Sequence, residues 1–295
     1  MTSAATADLA LAGRVAGPPR PLRVLVAARA AAYLGEADRR GGAVCAVVDH
    51  GGVAVPDALV LPPHRSWTAV LASHVRGGRP VLLGGGLLSC GPHEVRVRVA
   101  ADSRVAVPDH ATGTPRALAA RALDRLALRP LPTDPHAVAA HRWTGDRATP
   151  EALCVDAPAL LGRGPGLTPS GDDLCAGALL VHRLLGTRGT DEAVATLLER
   201  AEGRTTTPSV LLLRAAGEGR AAAPVRRAVE ALLADHVELG ELEAALDGLL
   251  ALGHTSGADL AAGLRAGLTA VAAPPAAGPT HERTTPLPST ERNCA

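Results

Sequence analysis

The sequence predicts an α+β fold, with a β-rich N-terminal region followed by a helical C-terminal region. Two kinds of pattern support this prediction. Residues 94–100 read EVRVRVA, in which apolar and charged residues alternate as they do along a half-buried strand. From about residue 115 to 272, apolar residues instead recur at helical spacing, and short breaks of Gly, Pro or Thr separate the segments.

The β-rich region is expected over residues 21–112. Its strand candidates are short apolar runs bounded by Gly or charged residues, namely LRVLVAA (22–28) and AVCAVVD (43–49), together with the extended segment VPDALVLPP. In the alternating segment we expect Val95, Val97 and Val99 to point inward and Arg96 and Arg98 to point outward. A solvated sheet face explains these two arginines better than an anion site does. The GGG of residues 84–86 follows the apolar run PVLL and indicates a turn or bulge.

The helical domain is expected over residues 113–272. Residues 1–20 are rich in Ala, Gly and Pro and are predicted to be disordered, as is a solvated tail over residues 273–295.

Composition excludes several classes of function. The chain has 295 residues and a formal net charge of +1, so bulk charge indicates neither a nucleic acid nor an acidic partner. Arginine replaces lysine throughout, and the absence of lysine excludes Schiff-base chemistry and a Walker A motif. The five cysteines form no C-x-x-C pair, which argues against a zinc site or a disulfide framework. With neither a signal peptide nor a run of about 18 apolar residues, a cytoplasmic location without a membrane partner is expected.

The strongest local signal is GRGPGLTPSGDD at residues 162–173, which precedes an apolar helix. Gly164 and Gly166 permit backbone angles closed to other residues. Either Thr168 caps the helix with Pro169 in its first turn, or Ser170 and Asp173 form a capping box. Both arrangements place free N–H groups and the positive end of a helix dipole where an anion can bind. An ordinary capped helix is the alternative, but a cap needs neither so many glycines nor two adjacent acids.

These two acids would repel a phosphate unless one caps the backbone, pairs with Arg or holds Mg²⁺. Asp172 and Asp173 diverge by about 100° around a helix, so we expect them to have different roles. Mg²⁺ is therefore a possible cofactor, and no cofactor is certain.

A second segment repeats the first. Residues 256–263 read SGADLAAG and match SGDDLCAG of residues 170–177 in register at Ser, Gly, Asp, Leu, Ala and Gly. We infer two related helix starts that face one pocket, with His254 adding a group that titrates near neutral pH, although a structural role is the commoner one for such a histidine. A third hydroxyl-rich helix start, RTTTPS at residues 204–209, is expected to cap its helix or to hold a ligand.

Together, GPGLTPSGDD (164–173), TTTPS (205–209) and GHTSGADLAAG (253–263) resemble the AllH-like family, over about residues 155–265. The resemblance implies a subunit of a heteromeric oxamate carbamoyltransferase of allantoin and purine degradation. That enzyme interconverts oxalurate plus phosphate with oxamate plus carbamoyl phosphate. The implied partners are a small anionic substrate (carbamoyl phosphate, oxamate or oxalurate) and other carbamoyltransferase subunits, one of them FdrA-like. Arg163, Arg204 or Arg214 could neutralise the phosphate.

The candidate site follows from the three segments. Its expected catalytic residues are Asp172, Asp173, His254 and Asp259. The expected substrate-binding residues are Gly164, Gly166, Thr168, Ser170, Gly171, Thr205, Thr206, Ser209, Thr255, Ser256 and Gly257. Two alternatives remain open: a non-catalytic subunit that binds an anion or nucleotide and regulates a partner, and an assembly subunit whose motifs only cap buried helices.

Overall fold

The N-terminal region forms a β-barrel. The computed structural model describes residues 4–37, 42–63, 67–75, 80–107, 113–131 and 148–274. Within these residues eight strands close into a barrel in the order β1-β5-β4-β3-β2-β6-β7-β8. The strands are β1 (Ala5–Asp8), β2 (Arg20–Ala27), β3 (Ala31–Glu36), β4 (Ala43–Val48), β5 (Ala58–Val60), β6 (Val81–Gly84), β7 (Leu87–Cys90) and β8 (His93–Ala101). Neighbours pair antiparallel except at β1/β8 and β4/β5.

Small and medium apolar side chains fill the barrel, which confirms the alternation read from the sequence. Val95 and Val97 of β8 are buried, whereas Arg96 and Arg98 are exposed on the outer face. The three glycines of residues 84–86 have positive φ angles and form the turn between β6 and β7, as predicted.

The prediction of disorder over residues 1–20 was wrong for residues 4–20, which are the part of this segment that the structure describes. This segment contributes β1, a 3₁₀ turn at Leu9–Leu11 and the short helix α1 (Ala12–Ala16). Ala5 and Ala7 are fully buried, because β1 pairs with both β5 and β8 and so closes the barrel. Long-range strand pairing supplies this order, and an Ala-rich strand of four residues carries no local signal for it.

The C-terminal half is helical, as predicted. The helices in chain order are α2 (Trp67–Val75), which lies within the barrel region, then α3 (Pro115–Leu126), α4 (Pro150–Val155), α5 (Ser170–Leu184), α6 (Thr190–Ala201), α7 (Thr207–Gly217), α8 (Ala223–Leu233), α9 (Leu239–Leu250) and α10 (Ser256–Ala272). The predicted tail lies outside the described residues from residue 275 onward. In the part of the chain that is described, no helix has the length and apolarity needed to cross a membrane.

The outer face of the barrel packs against the helices. Tyr33 of β3 and Val48 of β4 form an apolar cluster with Leu211 of α7. A buried ion pair reinforces this interface, since Arg220 contacts both carboxylate oxygens of Asp57 at 2.9 and 3.1 Å. The barrel and the helices therefore share a packed interface, and the candidate site lies along it.

Candidate functional site

Helices α5 and α10 pack against each other along their backbones. A Cβ on Gly177 of α5 would lie 2.4 Å from the carbonyl oxygen of Leu260, and one on Gly263 of α10 would lie 2.2 Å from that of Leu174. Both glycines are thus required by the close approach of the two helices. This crossing brings together the starts of the two helices, as the repeated sequence predicts.

The repeat in sequence is also a repeat in structure. A Cβ on Gly171 would meet the carbonyl oxygen of Leu160 at 2.0 Å, and one on Gly257 would meet that of Leu249 at 2.1 Å. Equivalent glycines therefore pack equivalently against the chain before each helix. These contacts explain both glycines by packing against their own chain, and their predicted substrate-binding role stays a prediction.

Three side chains form a polar cluster where the helix starts meet, in which Asp173 is buried and Thr168 and Ser256 are half-buried. The hydroxyls of Thr168 and Ser256 are 2.8 Å apart, and both hydrogen-bond with Asp173. We call Thr168, Asp173 and Ser256 the Asp173 cluster. The Asp173 residue is 2% exposed, and its Oδ2 has no hydrogen-bond partner among the described residues.

Burial raises the pKa of Asp173 to about 8. Desolvation is the main cause; hydrogen bonds from Ser256 and Thr168 oppose it, and the charges of Asp259 and Asp172 add to it. Near neutral pH the Asp173 carboxyl is therefore mostly protonated. It offers a hydrogen-bond donor as well as an acceptor, and it does not repel an anion. The electrostatic difficulty that two adjacent acids present in the sequence is thereby removed.

A cavity of about 420 Å³ lies next to the Asp173 cluster, between the barrel and the helices. All three cluster residues line it. The opposite wall comes from the outer face of the barrel, including Tyr33 and Val48. A volume of this size is within the range of small-molecule sites.

Part of the helical region matches a known family model. The family model described as oxamate carbamoyltransferase subunit AllH covers residues 160–268. Residues 160–268 match the AllH family. This confirms the resemblance indicated by the three motifs, and all of them lie inside the matched range. No solved structure matches the chain.

The AllH-matching region contains the whole Asp173 cluster but only one wall of the cavity. The barrel residues of the other wall, such as Tyr33, precede residue 160. Sequence reasoning missed these residues, since a side chain on the outer face of a strand carries no signal of what packs over it.

Asp172 lies outside the cavity lining, although it is adjacent to Asp173. Its Oδ1 accepts a hydrogen bond from the backbone N–H of Gly162 at 2.9 Å, and its Oδ2 accepts one from the hydroxyl of Thr205. The two acids thus have different roles, as their angular separation predicts. Asp172 joins the glycine-rich loop to the segment before α7, and its predicted catalytic role has no support in these contacts.

The predicted capping of α5 was wrong in both forms. The helix begins at Ser170, so Pro169 occupies the cap position and no side chain caps the backbone. The Ser170 hydroxyl is buried without a hydrogen-bond partner in the described part of the chain. Of the loop glycines, Gly164 packs against Ser170, whereas a Cβ on Gly166 would meet nothing within 4 Å.

The start of α7 is hydrogen-bonded to the glycine-rich loop that precedes α5. Thr206 accepts a hydrogen bond from the backbone N–H of Ser209 at 3.2 Å and so caps α7. Its hydroxyl also donates to the carbonyl oxygen of Leu167, the residue before Thr168. Thr205, Thr206 and Ser209 are absent from the residues that line the cavity. Capping, one of the two predicted roles, is confirmed for Thr206.

His254 and Thr255 are not part of the cavity lining either. The His254 side chain is exposed, and Thr255 precedes α10 without a side-chain capping bond. Asp259 is buried next to Asp173 and acts on it electrostatically. Among the described residues, no group of three or more His, Cys, Asp or Glu side chains is placed to hold a metal ion.

The arginines expected to neutralise a phosphate have other contacts. Arg214 donates to the carbonyl oxygen of Ala43 at 3.1 Å, and Arg204 donates to that of Pro158 at 3.3 Å. The arginines that line the cavity are instead Arg220 and Arg29. Arg220 is bound to Asp57 and Glu218, and Arg29 is exposed. Neither is predicted by a motif.

Proposed function

We propose that this chain is the AllH-type subunit of a heteromeric oxamate carbamoyltransferase, and that its Asp173 cluster binds the amide or ureido end of the substrate. The observation that carries the proposal is a buried carboxyl group whose pKa is raised, whose Oδ2 has no partner among the described residues, and which hydrogen-bonds with two hydroxyls inside the family-matched region. Subunits of other types, one of them FdrA-like, complete the enzyme.

A neutral carboxyl group is complementary to a primary amide. Its O–H donates to the amide carbonyl oxygen while its C=O accepts from the amide N–H, so two hydrogen bonds form without burying a charge. Oxamate and oxalurate both end in a –CO–NH₂ group. An ionised carboxylate could make only one of these two bonds, because it has no proton to donate.

The same contact stabilises the transition state of carbamoyl transfer. A phosphate oxygen attacks the terminal ureido carbonyl of oxalurate, the bond from that carbon to the internal nitrogen breaks, and the released oxamate takes a proton on this nitrogen. Negative charge develops on the attacked carbonyl oxygen. The O–H of Asp173 is the donor for this charge, while the hydroxyls of Thr168 and Ser256 hydrogen-bond with the Asp173 carboxyl and hold it in place.

The phosphate site is expected on a partner subunit. Of the two arginines that line the cavity, Arg220 is neutralised by Asp57 and Glu218, and Arg29 is exposed. Mg²⁺ brought with the phosphate by such a partner would add to the positive charge of Arg29.

The test is phosphate-dependent oxalurate cleavage by the complex purified with its partner subunits. We expect Asp173→Ala to lower kcat by about 100-fold or more, because one oxyanion donor is lost. Asp173→Asn keeps a donor and an acceptor, and it should retain activity to within about tenfold. Asp191→Asn makes the same chemical change at a side chain that is 89% exposed, and it should have no effect. Full activity of Asp173→Ala in an intact complex would end the proposal.

A second candidate, a ligand-binding subunit that regulates a catalytic partner, is favoured by one observation. The cavity walls are mostly apolar, and the described residues offer no cysteine, lysine or histidine nucleophile in the lining. In that case Asp173→Ala would change the ligand affinity of the isolated chain and leave turnover by the complex at its full rate.

A further inference from the structure

The cavity is larger than the implied substrate. At about 30 Å³ per molecule in the liquid, its volume of about 420 Å³ is room for roughly fourteen waters. Oxamate has six non-hydrogen atoms and would fill roughly a quarter of that space. A ligand of this size bound at the Asp173 cluster would leave most of the cavity occupied by water.

The remaining wall is poorly suited to water. It is built from apolar side chains of both halves of the protein: Val48, Val55 and Pro56 from the barrel side, and Leu180, Leu212 and Val225 from the helices. Polar groups occur mainly at the Asp173 cluster, at Arg220, whose guanidinium is bound to Asp57 and Glu218, and at the exposed Arg29. Apolar walls with a few convergent polar groups are typical of sites for small molecules that carry an apolar part.

The polar end of the cavity selects an uncharged head group. Asp173 is nine-tenths buried or more, and its Oδ2 has no partner among the described residues. No ion pair joins Asp173 to a cation in the part of the chain that is described. A ligand carboxylate would therefore be buried with little compensation, whereas a primary amide would be fully paired.

We infer that this cavity binds a primary carboxamide on an apolar body, with the amide held by the Asp173 cluster and the body against the wall shared by the barrel and the helices. The inference of an amide head group rests on the proposed function, whereas the inference of an apolar body rests only on the size and lining of the cavity. Oxamate shares the amide head of this class but carries a carboxylate in place of the apolar body.

A chain-length series tests the inference. Acetamide, butanamide, hexanamide and octanamide are titrated into the full chain by calorimetry. We expect affinity to rise about fourfold per added methylene up to octanamide, because each methylene leaves water for an apolar wall. The matched carboxylates, from acetate to octanoate, should bind at least tenfold more weakly at each length. Equal affinity of acetamide and octanamide would overturn the inference.

Two exposed valines provide a matched pair of variants. Val53 lines the cavity and is 43% exposed, whereas Val155 is 77% exposed and is not part of the lining. We expect Val53→Trp to weaken octanamide binding at least tenfold while acetamide binding stays within twofold. Val155→Trp should change neither. If Val53→Trp leaves octanamide binding unaltered, the apolar body does not lie in this cavity.

The outcomes separate the two claims. A rising amide series together with absent carbamoyl transfer would refute the proposed enzyme activity and keep the inferred ligand class. Active transfer by the complex, with a flat amide series in the isolated chain, would refute the inferred class and keep the proposed function. If octanoate binds more tightly than octanamide, the uncharged head group is wrong.

Discussion

The protonated state of Asp173 predicts an unusual dependence of stability on pH, and Asp173→Asn isolates it. Asparagine has nearly the same shape as aspartate, can hydrogen-bond with Thr168 and Ser256, and is neutral at every pH. The variant therefore removes the titration while it preserves the packing of the cluster.

The magnitude follows from the difference between the folded and unfolded pKa values. The pKa of Asp173 is about 8 in the folded protein and 3.8 when unperturbed. Below pH 4 the carboxyl is protonated in both states. Between pH 4 and 8 only the unfolded chain loses the proton, so the free energy of unfolding falls with rising pH by about 1.4 kcal/mol per unit. The total loss is about 6 kcal/mol, which is a large share of the stability of a typical domain.

Urea unfolding of both proteins, followed by circular dichroism at pH 5, 6, 7 and 8, measures this term. The free energy of unfolding of Asp173→Asn minus that of the unsubstituted protein should increase by about 4 kcal/mol across this range. Asp191→Asn changes an exposed carboxylate and should show no such trend. A difference that stays constant to within about 0.5 kcal/mol from pH 5 to 8 would refute the reasoning, because Asp173 would then be ionised in the folded protein.

Three further predictions concern the frame around the cluster. Gly263→Ala should lower stability by about 3 kcal/mol or more, because the added Cβ would lie 2.2 Å from a backbone oxygen. The control Gly248→Ala adds a Cβ that meets nothing within 4 Å and should raise stability by about 0.5–1 kcal/mol. Thermal unfolding measures both changes. Asp172→Ala should lower stability by about 1–3 kcal/mol and should weaken the pH trend of the Asp173 pair only slightly, because Asp172 is the smallest contributor to the raised pKa of Asp173, as urea unfolding at pH 6 and 8 would show. Burial lowers the pKa of His182, so the contribution of this group to stability should fall as pH drops below its unperturbed value of 6.5, opposite to the contribution of Asp173. The stability of His182→Leu relative to the unsubstituted protein should therefore increase as pH drops from 7 to 5, and a constant difference would contradict this assignment.

The fold could be predicted from sequence where local pattern decides it. Strict alternation fixed the faces of β8, and helical periodicity located α3 to α10. Residues 5–16 could not be predicted, because their order comes from pairing with strands that lie more than fifty residues further along the chain. The closure of the barrel depends on long-range strand pairing, which cannot be predicted from a short segment of sequence.

The site could be predicted only in part, for a similar reason. Motif residues on helix starts were identified, and the repeat correctly indicated that these starts converge. The contacts of each motif residue depend on the residue at which its helix begins. The start of α5 at Ser170 leaves this hydroxyl without the capping role expected of it. Arg220 and Tyr33 reach the cavity through tertiary packing, and their sequence neighbourhoods give no indication of it.

The glycines of the Ser-Gly-x-Asp repeat determine how the two helices pack, and this packing in turn positions the aspartates. In each copy the first glycine fits against the chain preceding the helix, and the later glycine fits against the partner helix. These two contacts fix the position and rotation of each helix, and that rotation directs Asp173 and Asp259 toward one another in a desolvated place. The raised pKa of Asp173 is therefore a consequence of the helix crossing. Any substitution that separates α5 from α10 should lower this pKa toward its ordinary value even when Asp173 itself is untouched.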